Sequence, residues 1–155
     1  LGLHAGRTAT MATRSTVRGT ARIRRPLVSR LTPVLHVEAI EPVLPFWEAL
    51  GFRRTIEVPA GDRLGFVILA NDAVEVMYET WAWQASHMPA HAAHAARHEQ
   101  TFLFVEVRDV AAIEAALPHG ERFLERRETF YGAIEIGLRE PGGHLVTFAQ
   151  FKPAG

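Results

Sequence analysis

Two stretches of this chain follow the same plan and decide the fold: TPVLHVEAIEPVLPFWEAL at residues 32–50 and FLFVEVRDVAAIEAAL at residues 102–117. Each begins as a short alternating strand, passes through an acidic turn and continues as an amphipathic helix. Val37 aligns with Val107, 70 residues later in the chain. This internal repeat indicates two similar modules related by pseudo-twofold symmetry, and a cavity shared between them is where we expect the function to lie.

The residues after each stretch are typical of short strands separated by turns. In the first module the pattern predicts a strand over 32–37, a helix over 41–50 and strands over 52–59, 64–69 and 73–79. In the second module it predicts a strand over 102–107, a helix over 109–117 and strands near 122–128, 131–138 and 144–151. The order is βαβββ twice, which predicts an α+β fold.

Composition excludes several classes of protein. No apolar run approaches the ~18 residues that a membrane-spanning helix needs, so we expect no membrane partner. The chain has no Cys, which rules out disulfides, thiolate metal sites and a Cys nucleophile, and favours a cytoplasmic location. Its 155 residues suit one domain built from two half-size modules.

The net charge of zero hides an asymmetry along the chain. Residues 1–30 contain seven Arg and no acidic residue, whereas residues 31–155 contain 17 acidic and 10 basic residues and carry a net charge of −7. We predict a disordered basic tail over 1–30, with a transit peptide or a basic arm that touches nucleic acid or a partner subunit as alternatives. The acidic remainder argues against a nucleic-acid ligand and suits a cationic one. We predict that 31–155 is a single domain, with module one at 31–79, a connector at 80–100 and module two at 101–151.

A series of short motifs, in a fixed order, carries a family resemblance. They are Val37 and Ile40, the pair Phe46 and Trp47, LGF at 50–52, the residues Val107, Asp109 and Val110, FYG at 130–132, and EPGGHLV at 140–146. In this order they resemble the vicinal oxygen chelate superfamily of glyoxalases, bleomycin-resistance proteins and extradiol dioxygenases, closest to its metal-free bleomycin-resistance-like members. The resemblance implies two βαβββ modules that form a curved, partly open eight-stranded barrel around a central cavity, and a homodimer.

The resemblance also implies four metal-ligand positions, one on the first and one on the last strand of each module, usually occupied by His and Glu. In this chain those positions fall at Thr32, Glu75, Phe102 and Thr147. Phe cannot ligate a metal and Thr is a poor substitute for His or Glu, so only Glu75 suits a divalent ion. We therefore expect no cofactor, with a divalent metal at other ligands as the alternative.

Strand alternation, which places every second side chain on one face, predicts the lining of the cavity. His36 and Glu106 then occupy equivalent inward positions in the two modules. The predicted ligand-binding residues are His36, Glu75, Met77, Trp81, Phe102, Phe104, Glu106, Tyr131 and Thr147.

This lining leaves three functions open. The first is metal-independent binding or sequestration of a cationic or aromatic compound, and it is the leading hypothesis. The second is a lyase, isomerase or dioxygenase that uses His36 and Glu75 as candidate catalytic residues, with acid–base chemistry or a relocated metal held by His36, Glu75 and Glu106. The third is an interaction module whose cavity is filled by its own side chains, Phe102, Phe104 and Met77.

The connector carries His87, His91, His94 and His98 at helical spacing. Such spacing suits zinc, but Pro89 interrupts the run and it contains no acidic residue, so we predict a flexible loop over the cavity instead. Trp81 and Trp83 stand at its start and suggest a lid or a dimer contact. By the resemblance, Arg127 and Tyr131 also reach the ligand.

Overall fold

The computed structural model describes residues 30–72, 74–92 and 100–152, so nearly all of the predicted tail lies outside the described residues. The predicted order is confirmed, since each module folds as βαβββ. The strands are β1 (Val34–Val37), β2 (Arg53–Ala60), β3 (Arg63–Asn71), β4 (Val74–Thr80), β5 (Phe102–Glu106), β6 (Glu121–Glu128), β7 (Ala133–Arg139) and β8 (Leu145–Phe151). The helices are α1 (Leu44–Ala49), α2 (Trp81–His87), α3 (Pro89–Ala92) and α4 (Val110–Ala116).

Each module forms one four-stranded sheet, and the two sheets have the same strand order. The orders are β1-β4-β3-β2 and β5-β8-β7-β6, with the first pair parallel and the others antiparallel. Val34 pairs with Met77, and Phe104, 70 residues after Val34, pairs with Thr147, so the sheets share one register. Between the described strands of the two sheets there is no pairing, so the barrel is not closed, in agreement with the partly open arrangement that the resemblance implies.

One face of each sheet contributes to a common core. Val76 and Tyr78 of the first sheet are buried there with Val146 and Phe148 of the second. Phe46 of α1 lies 6.4 Å from the Phe148 ring, so the helix of module one packs against the sheet of module two. The opposite faces, which we call the open faces, carry Val34 and His36 in module one and Phe102, Phe104 and Glu106 in module two.

The first helix starts where the sequence indicates, as a 3-10 turn over Glu41–Val43 that continues as α1, and it ends one residue before the predicted boundary at Leu50. Pro42 and Pro45 occupy first-turn positions, where the missing N–H breaks no helical hydrogen bond. Gly51 follows the helix with φ of +86°, a conformation that side chains with a Cβ rarely adopt. This sharp ending directs Phe52 back into the core, where its ring packs 4.9 Å from that of Trp47.

A buried histidine joins the two modules. His144 accepts a hydrogen bond from the Thr101 amide at Nδ1 (3.0 Å) and donates from Nε2 to the carbonyl oxygen of His36 (2.9 Å). Beside it, burial raises the pKa of Glu140, whose carboxyl accepts hydrogen bonds from the amides of Gly142 and His144. The junction therefore fixes the backbone of β1 at His36.

The described part of the connector is helical, which corrects the prediction of a flexible loop. Thr80 caps α2 by accepting a hydrogen bond from the Trp83 amide at 3.2 Å. No helix in the part of the chain that the structure describes is long and apolar enough to cross a bilayer.

Candidate functional site

A cavity of about 360 Å³ lies between the open face of the first sheet and helix α2, and we call it the α2 cavity. Most of its wall is apolar, with a polar group at one end. The lining residues are Val34, His36, Val58, Phe66, Glu79, Trp83, His87 and Met88.

A bulge in β3 makes room for the indole of Trp83. Val58 pairs with Phe66 but Pro59 pairs with Leu64, so Gly65 is an extra residue in the ladder. A Cβ on Gly65 would lie 2.8 Å from the Trp83 ring, closer than real Cβ contacts allow. The glycine therefore permits Trp83 to lie directly on the sheet and to form one wall of the cavity.

The polar end of the α2 cavity is built around Glu79. This residue is only 6% exposed, and its two carboxylate oxygens contact Nε2 of His36 at 3.2 Å and Nε2 of His87 at 3.1 Å. Nδ1 of His87 also lies 2.6 Å from the carbonyl oxygen of Trp83, one helical turn earlier. A buried carboxylate thus holds two imidazoles, one from β1 and one from α2.

The ring of His36 has two further contacts. It stacks on Trp81 with centroids 4.7 Å apart and an interplanar angle of 24°. The side-chain amide of Gln84, which is 1% exposed, also contacts Nε2 of His36. His36 lines a second cavity of about 220 Å³ as well, together with Trp81 and the turn at Gly142.

A different polar cluster lies on the open face of the second sheet. Glu135, 1% exposed, accepts hydrogen bonds from Nε and Nη2 of Arg127 at 3.2 and 3.0 Å and from the hydroxyl of Tyr131. The hydrogen bond to Glu135 raises the pKa of Tyr131. Phe151 lies between the rings of Tyr131 (6.2 Å) and Phe104 (6.5 Å), so an aromatic row continues from the cluster across this face.

The residues predicted in module one are spread along its sheet. His36 lies in the α2 cavity, and Trp81 lies behind its ring. Met77 follows on β4, where it pairs with Val34. Glu75 lies further along, accepts a hydrogen bond from Thr32 at 3.2 Å, and lines a separate cavity of about 280 Å³.

The residues predicted in module two do not line the α2 cavity. Phe102, Phe104, Glu106 and Thr147 lie on the second sheet, and Tyr131 lies in the turn before β7. Thr147 is buried, and its hydroxyl has no hydrogen-bond partner among the described residues.

The strand register also corrects one assignment. Phe102 pairs with Leu145, so Leu145 and not Thr147 is the pseudosymmetric equivalent of Glu75.

The residues present do not fit the metal tetrad of the resemblance. With the last position reassigned, the four ligand positions are occupied by Thr32, Glu75, Phe102 and Leu145, of which only Glu75 is a good metal ligand. Within 30–72, 74–92 and 100–152, no three His, Asp or Glu side chains are placed to hold a metal ion, so the relocated set of His36, Glu75 and Glu106 is not assembled either. Of the connector histidines, His94 and His98 lie outside the described residues.

The predicted ligand-binding residues did not include Glu79, Trp83 or His87, although a lid over the ligand was one of the two roles expected for Trp83. A signal for Glu79 was present, because alternation along β4 places it on the same face as Glu75 and Met77. Its partnership with His36 follows from the parallel register, in which the two residues are directly paired. His87 is four residues after Trp83, a spacing that brings side chains together only if the connector is helical.

No protein-family model matches this sequence, and no curated protein is significantly similar to it. Solved structures do match it. TioX from Micromonospora sp. ML1 has a TM-score of 0.65 at 18% identity, covering 81% of this chain and 100% of that chain. A glyoxalase/bleomycin resistance protein/dioxygenase family enzyme from Burkholderia phytofirmans PsJN has a TM-score of 0.63 at 14% identity, covering 78% and 97%.

A bleomycin-binding protein complexed with bleomycin is also similar, with a TM-score of 0.56 at 15% identity over 81% of this chain and 100% of that chain. At identities this low, the structural similarity establishes the fold alone. At the level of the fold, it confirms the resemblance seen in the sequence. The chain has the fold of the glyoxalase, bleomycin resistance protein and dioxygenase superfamily.

Proposed function

We propose that this protein binds a small aromatic or cationic organic molecule in the α2 cavity. The observation that carries the proposal is an apolar cavity of about 360 Å³ with a buried carboxylate at one end. Small-molecule sites usually enclose about 300–1,000 Å³ and combine apolar walls with a few polar groups. The rings of Trp83 and Phe66 offer surfaces for stacking or for a cation, and Glu79 supplies negative charge.

The fold supports the same class of function. One of the similar structures is a bleomycin-binding protein that holds bleomycin, so this architecture is compatible with binding an organic compound. The donor set argues for binding without a metal, because Thr32, Phe102 and Leu145 stand where the tetrad needs imidazoles and carboxylates. Sequestration of the compound then needs no chemical step.

Blocking the cavity should abolish binding. Val58 lines the α2 cavity, and a lysine there would place an ammonium group among apolar side chains. Ile56 lies on the same face of the same strand, is 50% exposed and is not part of the lining, so Ile56→Lys is the matched control. We expect Val58→Lys to remove ligand binding and Ile56→Lys to preserve it.

The measurement is thermal stabilisation by tryptamine, indole and indole-3-acetate, which share one ring system and differ in charge. A ligand present at 100 times its Kd stabilises a protein by about 2.7 kcal/mol. We expect stabilisation by tryptamine and indole, little by indole-3-acetate, and no change with EDTA. An equal loss of ligand stabilisation in Val58→Lys and Ile56→Lys, or ligand binding that requires a metal, would contradict the proposal.

We also propose that the protein is a homodimer in which the open face of module two is buried. Phe102 and Phe104 are 58% and 49% exposed in the single chain, and Phe123, Tyr131 and Phe151 extend the same apolar surface. A contiguous apolar face of this kind is typical of a protein–protein interface. Its burial against a second copy would remove the aromatic rings from water.

Phe104→Glu should therefore convert the dimer to a monomer, because an interface of this kind does not tolerate a buried unpaired charge. Ala115→Glu adds the same charge to an exposed position of α4 and should leave the dimer intact. Light scattering coupled to size-exclusion chromatography measures both masses. A monomeric unmodified protein, or a Phe104→Glu variant that remains dimeric, would show that this face is not the interface.

A further inference from the structure

The polar end of the α2 cavity has the parts that a positioned general base requires. A general base needs an imidazole within reach of the substrate, a group that orients it, and surroundings that exclude water. His36 lines the cavity, Glu79 contacts its ring, and Val34, Phe66 and Met88 provide apolar walls. This inference rests on the proposed function, because it uses the same cavity.

The contact with Glu79 fixes which nitrogen of His36 carries the proton. Nε2 lies 3.2 Å from a carboxylate oxygen, and an ionised carboxylate can only accept hydrogen bonds. In the neutral form of the ring, Nε2 is therefore the N–H and Nδ1 keeps its lone pair. The atom of Gln84 placed against Nε2 of His36 is the amide nitrogen. The oxygen and nitrogen of an amide are assigned from the hydrogen-bond network, and exchanging them turns an acceptor toward the same N–H.

Nδ1 of His36 has no hydrogen-bond partner among the residues that the structure describes. The His36 side chain is 19% exposed and lines the α2 cavity, so no described side chain competes with a ligand for this lone pair. A neutral imidazole with one nitrogen oriented by a carboxylate and the other free to accept a proton has the arrangement used by histidine bases in enzymes.

The ring is also held in place from several directions. It stacks on Trp81, its own backbone carbonyl accepts a hydrogen bond from His144, and Glu79 is held in turn by His87. Such constraint places a base in one orientation before the ligand arrives, which is what makes proton transfer efficient.

We propose that His36 is a general base whose Nδ1 removes a proton from a bound carbon acid, and that Glu79 is its positioning residue. The substrate class is a small, flat compound with a C–H bond next to an electron-withdrawing group. The proton moves to Nδ1, and the C–H electron pair moves into the withdrawing group. Return of the proton at a neighbouring atom gives an isomer, so the step needs no oxidant or other co-reactant.

The base is tested with 5-nitrobenzisoxazole, a flat aromatic probe of positioned bases. The base takes the proton from carbon 3, the C–H electron pair completes the nitrile, and the ring N–O bond breaks to leave a coloured phenolate. The proton then passes from the base to water. We expect the full chain, in whichever oligomeric state it adopts, to convert the probe at least about 100-fold faster than imidazole does at the same concentration and pH.

Variants separate the roles of the two residues. His36→Ala should reduce the rate to the level of imidazole, whereas His119→Ala, which removes an exposed histidine in the turn before β6, should have no effect. Glu79→Gln should lower kcat about tenfold with KM changed less than twofold, because it disturbs the orientation of the base and not the apolar walls. Glu57→Gln, which changes an exposed carboxylate on β2, is the matched control.

Probe binding is measured in parallel by quenching of tryptophan fluorescence, so that failure of the base and failure of the cavity are distinguished. Binding without acceleration, or acceleration that survives in His36→Ala, overturns the assignment of His36. If the probe does not bind, the proposed cavity fails for this ligand class. The assignment of His36 as the base is then tested by the protonation of its two ring nitrogens. Nitrogen-15 NMR of labelled histidines should show His36 protonated at Nε2 alone, and a ring protonated at Nδ1 instead overturns the proposal.

Discussion

Trp47→Ala is expected to lower the free energy of unfolding by about 3–5 kcal/mol, the usual range for removing a large aromatic side chain from a core. Trp47 is 2% exposed and lies in the core shared by the two modules. Its ring packs edge-on against Phe46 at 5.4 Å and Phe52 at 4.9 Å. Alanine would leave a cavity between α1 and the first sheet that these neighbours fill only in part.

Trp47→Phe is the matched control, because it keeps most of the aromatic volume and removes the indole N–H. That N–H donates to the hydroxyl of Tyr78 at 2.8 Å, and Tyr78 is fully buried. Burial raises the pKa of Tyr78, so its hydroxyl remains a neutral polar group in the core. Loss of a partner for such a group costs about 1–3 kcal/mol.

Urea denaturation followed by far-ultraviolet circular dichroism measures both variants, since this signal does not depend on the tryptophan itself. The double variant Trp47→Phe with Tyr78→Phe should lose less free energy of unfolding than the sum of the losses in the two single variants, because no hydroxyl is then left unpaired. A loss below about 1 kcal/mol for Trp47→Ala would mean that α1 is not an essential part of the common core.

The repeat made the fold predictable, because each module supplied independent local signals for the same elements. Strand β6, for example, was predicted near 122–128 and spans Glu121–Glu128, while β8 was predicted over 144–151 and spans Leu145–Phe151. Turn residues marked the ends of elements: Gly51 marked the end of the first helix, and the EPGG turn marked the boundary between β7 and β8. Alternation also separated the two faces of β1 correctly, since Leu35 and Val37 are buried whereas His36 lies in a cavity.

The site was only partly predictable, because alternation assigns a side chain to a face but does not say what covers that face. His36 was predicted from the sequence to line a cavity and does so, yet the residues that contact its ring come from β4 and α2, which reach it through tertiary contacts. Glu79 depends on the parallel register and His87 on a helix whose sequence contains two tryptophans and no long apolar stripe. The cavity wall at Trp83 further depends on a bulge at Gly65, which no local pattern indicated.

The second prediction with a large expected effect concerns Arg127, whose guanidinium donates two hydrogen bonds to the buried carboxylate of Glu135. Arg127→Ala would leave Glu135 with the Tyr131 hydroxyl as its remaining described donor, because a methyl group cannot replace the guanidinium. Removing one partner of a fully buried ion pair costs about 3–5 kcal/mol. Since the Arg127 side chain is 55% exposed, solvent screens part of this interaction, and we expect a loss of about 2 kcal/mol.

Arg126→Ala is the matched control from the neighbouring position. Arg126 pairs with Glu114 at 2.8 Å, but both side chains lie at the surface, so we expect a loss of at most about 0.5 kcal/mol. The contrast between two adjacent arginines isolates the effect of burying the carboxylate from the general effect of removing a positive charge.

Glu135→Gln, introduced into the Arg127→Ala variant, should restore at least about 1 kcal/mol of stability. The amide oxygen still accepts the hydrogen bond from Tyr131, and no uncompensated charge remains buried. Urea denaturation of the four proteins in this cycle gives the coupling energy between the two side chains directly. Equal losses for Arg126→Ala and Arg127→Ala, or a double variant less stable than Arg127→Ala, would show that the pair acts as an ordinary surface ion pair and that water reaches Glu135 when the guanidinium is removed.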